Sequence, residues 1–114
     1  MHSIINKPKK SNFLKKNKEL DLKIDSEKEK IKHNNKLRNE FDNINNSYNR
    51  CLDILSKSVS GKNINKKYND LYTENRINYI KNVEQLDSQI SQSQNNIDAY
   101  LNEKDNLKKE CKED

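Results

Sequence analysis

Apolar residues recur along this chain at alternating intervals of three and four, the spacing of a helix that buries one stripe. With Leu20 placed at heptad position d, Ile24, Ile31, Leu52 and Val59 fall at a, while Phe41, Tyr48 and Leu55 fall at d. Glu27, Asn34, Arg38 and Asn45 interrupt the frame. Leu37 and Ile44 stand beside the gaps, where the drift of a straight helix against a seven-residue repeat lets them fill the seam. A second frame has Val83 at a. Ile90 and Ile97 then share that position, and Tyr72, Tyr79, Leu86, Tyr100 and Leu107 take d, with interruptions at Arg76, Ser93 and Lys104 and with Cys111 closing at a. Strands are disfavoured, because Val, Thr and aromatic residues do not alternate and turn signals do not recur every eight to twelve residues. The expected fold class is all-α.

The only glycine, Gly61, lies between the two frames in "SVSGKN". A left-handed residue that ends a helix favours glycine, so Gly61 is expected to close the first helix, and Asn63 to cap the second. The spacing predicts a helical hairpin over 15–112, with helix one over 15–59, a turn over 60–63 and helix two over 64–112. So short a connection makes the helices antiparallel neighbours. Folding about residue 61 sets Leu20 near Leu101, Ile31 near Ile90, and Phe41 near Tyr79. Ile54, Ile64, Leu71, Ile77 and Ile80 lie beside the two seams and widen the apolar face beyond what one partner helix covers. Further helices are therefore expected to complete a bundle around this coiled-coil-like hairpin.

Charge adds an arm to this picture. Residues 1–18 carry six lysines and no acid, against a net charge of +5 for all 114 residues, so the hairpin itself is close to neutral. Pro8 stands among these lysines and pushes the residue before it toward extended backbone, so 1–14 reads as a flexible basic arm. Twenty asparagines and twenty lysines, with 30% hydrophobic and 36% charged residues, exclude a conventional two-layer globular core. The composition is that of an AT-rich coding sequence.

The residue types that carry chemistry are scattered. One glycine excludes phosphate-cradling and nucleophile-elbow motifs, which need two or more. His2 and His33 stand away from any cysteine at ligand spacing, so no metal site is expected. Cys51 has no histidine beside it to activate the thiol, and the carboxylates read as solvated helix faces. Cys51 and Cys111 are read as free thiols. The expectation is a protein that is not an enzyme and takes no cofactor. No apolar run reaches the roughly 20 residues that span a bilayer, so no membrane insertion is expected. The arm lacks arginine, the preferred residue for bidentate phosphate contacts, which makes nucleic acid an unfavoured partner.

"LRNEFDNINNSYNRCLDIL" in helix one and "YTENRINYIKNVEQLDSQI" in helix two resemble, in size and pattern, the small helical targeting partners of LXG-type toxins in Gram-positive type VII secretion. Their architecture is related to that of the WXG-motif helical hairpins. The resemblance implies an adaptor or targeting chaperone that packs beside the helical domain of a secreted effector, with room for a second small helical partner, and helps form a composite export signal. No apolar stretch of the kind a signal peptide requires follows the basic N-terminus, so residence in the cytoplasm is expected, with any export alongside the partner by a route without a cleaved signal peptide. Two other readings of the residues are a nucleic-acid-associated coiled coil using the basic arm and a self-assembling structural coiled coil.

Overall fold

The computed structural model describes the backbone of residues 2–58 and 61–113 and the side chains of 11–58, 61 and 64–111. The fold is an all-α hairpin of two helices, α1 (His2–Ser58) and α2 (Lys62–Glu113), of 57 and 52 residues. Both helices follow from composition. Lysine, the commonest charged residue, and glutamate are good helix formers, and glycine and proline are nearly absent. α1 starts well before the expected residue 15 and carries the supposed arm into the helix. Pro8 removes one backbone donor, toward the carbonyl of Ile4, but the helix-forming residues around it keep their own bonds, so helix continues on both sides.

The turn differs from expectation in how it uses its glycine. Gly61 has φ +143°, a positive value, yet far from the left-handed helical value near +57° that closes a helix. Its carbonyl accepts the N–H of Asn65 at 3.1 Å, the first rung of α2. Gly61 is therefore the N-cap residue of the second helix, and Asn63, expected in that role, lies within α2 with its side chain outside the described residues. Val59 and Ser60 also lie outside the described residues. A Cβ at position 61 would meet nothing nearer than Ile64 Cδ1 at 4.0 Å. Space is not what demands glycine here; the positive φ is. At the other side of the turn, Lys57 pairs with Asp53 at 3.2 Å in the last turn of α1, where a cation suits the helix dipole.

By internal contacts the chain divides into a part holding both ends, 1–32 with 90–114, and a turn part, His33–Gln89. In the first, Leu20, Ile24 and Ile97 are buried and Lys23 stands over the Tyr100 ring at 5.7 Å from its centre. Lys104, an interruption in the α2 frame, reaches across to Asp21. In the turn part, Leu52 and Leu86 are the buried apolar side chains, and Arg38 meets Asp87 at 2.9 Å. Both sets of partners lie at comparable distances on either side of Gly61, as a hairpin closed there requires. No helix among the described residues is long and apolar enough to cross a membrane.

Candidate partner-docking face

In the part holding both ends, the expected heptad frame describes the packing. Leu20, Ile24 and Ile97 are buried and Ile31, Ile90, Tyr100 and Leu107 are half-buried. The interruptions Glu27 and Ser93 are themselves buried, the former with 6% of its surface exposed. This seam thus contains a polar layer. Lys30 Nζ donates to Glu27 Oε1 at 3.2 Å, while Glu27 Oε2 lies out of solvent with no hydrogen-bond partner among the described residues. The neighbouring Ser93 hydroxyl is the main influence holding the Glu27 carboxyl below its ordinary value; burial opposes it, and Lys30 and Asn96 assist.

A carboxyl whose pKa is depressed in the folded state stabilises that state above its unfolded pKa, and the contribution disappears as pH falls through the folded value. Melting temperature followed by circular dichroism is therefore expected to fall below about pH 4.5, the ordinary glutamate value. Glu27→Gln should make that fall shallower. Equal acid sensitivity in both proteins would remove Glu27 from the account.

In the turn part the frame holds at Tyr72, Tyr79, Val83 and Leu86 of α2 and at Asn45 and Leu52 of α1, and fails at the α1 d positions Tyr48 and Leu55. α1 faces α2 through Asn45, Asn49, Leu52 and Ser56, and α2 answers with Tyr68, Tyr72, Asn75, Tyr79, Val83 and Leu86, all buried or half-buried. Asn75 Nδ2 donates to Asn45 Oδ1 at 2.8 Å and to Asn49 Oδ1 at 3.3 Å; the Tyr72 hydroxyl donates to the Asn49 carbonyl at 3.0 Å, and the Tyr79 hydroxyl to the Asp42 carboxylate. That acceptor raises the Tyr79 pKa, and burial raises that of Tyr72. Tyr72 and Tyr79 act as seam residues with polar tips, each finding a partner for its hydroxyl.

Because α1 offers this polar edge to α2, its apolar residues are displaced to the flank. Ile44 is 64% exposed, Leu55 48% and Tyr48 37%. These three were expected in the seam, and the structure sets them beside it. Ile44 does not fill the gap at Asn45, because Asn45 is held there by its own hydrogen bond to Asn75. The exposed residues nonetheless form a pattern. Leu37, Phe41, Ile44, Tyr48, Cys51 and Leu55 are separated by four, three, four, three and four residues. They make an unbroken apolar stripe on one face of α1, half-buried at Leu37 and Phe41 and exposed from Ile44 to Leu55. Ile54, 58% exposed, lies beside it. On α2, Ile77 and Ile80 are exposed as well.

A frame starting from Leu37 rather than Leu20 would have found this stripe, since it collects six apolar residues without a polar interruption. Within the turn part the seam frame through Arg38, Asn45 and Leu52 alternates charged, polar and apolar. Cys51 and Cys111 are free and exposed. His33 is exposed on α1, and among the described residues no group of three His, Cys, Asp or Glu side chains is placed to hold a metal ion.

The fold defines a two-helix hairpin that leaves the apolar face of α1 from Ile44 to Leu55 exposed. No protein-family model, no curated protein and no solved structure matches this sequence.

Proposed function

We propose that this chain is a non-enzymatic interaction protein, a helical adaptor whose α1 stripe is covered by helices of another polypeptide. The observation that carries the reading is the run Leu37–Leu55: six apolar side chains at heptad spacing on one helix face, four of them exposed. Leaving such a face in water forgoes about 1.5–3 kcal/mol for each large apolar side chain that a partner would bury. The hairpin itself buries only Leu20, Ile24, Leu52, Leu86 and Ile97 among its described apolar residues, so added helices would contribute a large share of the packing.

In its sharpest form the partner is the helical domain of a type VII secreted effector of the LXG type, and the hairpin acts as a targeting chaperone in the cytoplasm that helps build a composite export signal. This form is supported by the sequence resemblance and by the helix-in-groove logic of an apolar stripe at 3–4 spacing. Co-expression with an LXG-type helical domain followed by size-exclusion chromatography is expected to give one co-eluting complex, lost on Ile44→Lys. Separate elution of the two proteins would overturn the effector reading.

A further inference from the structure

We draw no further inference here: the strongest candidate, the exposed apolar face of α1 from Ile44 to Leu55, carries none because nothing in the structure shows what covers it.

Discussion

Leu52→Ala is expected to lower the unfolding free energy by about 2–5 kcal/mol, enough to leave the hairpin largely unfolded at room temperature. Leu52 is 4% exposed and, with Leu86, supplies the buried apolar packing of the turn part. A seam this thin has few other side chains to collapse into the space left, so the cavity contribution adds to the lost transfer energy. Leu55→Ala provides the contrast. That side chain lies three residues on but is 48% exposed, and in the absence of a partner its removal should cost under about 1 kcal/mol. Urea titration followed by circular dichroism measures both. Similar losses at the two positions would mean that the α1 seam runs through the expected d positions after all.

Asn45→Leu together with Asn75→Leu is expected to act in the opposite direction, raising the unfolding free energy by about 1–3 kcal/mol. The two amides are joined at 2.8 Å and half-buried, and their hydrogen bond replaces ones that water provides in the unfolded chain. Exchanging both partners for apolar side chains removes the desolvation cost and adds apolar contact across the seam. Asn75→Leu alone should do worse than the pair, since it strands the Asn45 amide, whereas Asn45→Leu alone leaves Asn75 its bond to Asn49 at 3.3 Å and should cost less. Thermal melting of the two single variants and the double variant forms a cycle that isolates this coupling; a double variant less stable than either single would show the amide bridge to be a net contributor. The gain in stability should come with a loss of register, because the amide bridge admits few alternatives and a row of leucines admits several.

Helix content and the hairpin were legible from the sequence because they rest on strong local signals: 3–4 periodicity in both halves, and a single glycine between them. Helix one was expected to begin near residue 15 because Pro8 and the lysine cluster read as breakers, although one missing N–H interrupts only a single backbone bond. Gly61 was identified as the turn residue, but its role at the start of α2 rather than the end of α1 depends on a φ value that no sequence pattern encodes. The seam was less legible in the turn part. Two frames a few residues out of phase run along α1, and the more apolar one, through Ile44 and Tyr48, is the natural choice for a core. The structure gives α2 the other, because Asn45, Asn49 and Asn75 satisfy one another and Tyr72 and Tyr79 find acceptors there. Hydrogen-bond geometry between helices, not hydrophobicity, decides which edge of α1 turns inward.

The turn also sets an order of assembly. Tyr72 and Asn49, close to Gly61, are 23 residues apart in sequence, whereas Lys104 and Asp21 are separated by 83. Each doubling of a closed loop adds only about 0.6 kcal/mol of entropy cost, but that cost precedes the contacts that offset it. Contacts beside the turn are therefore expected to form first and to shorten the effective loop for those beyond them, so that folding closes like a zipper from Gly61 outward. Opening should run in reverse, with amide exchange fastest toward the two chain ends and slowest around Leu52 and Leu86.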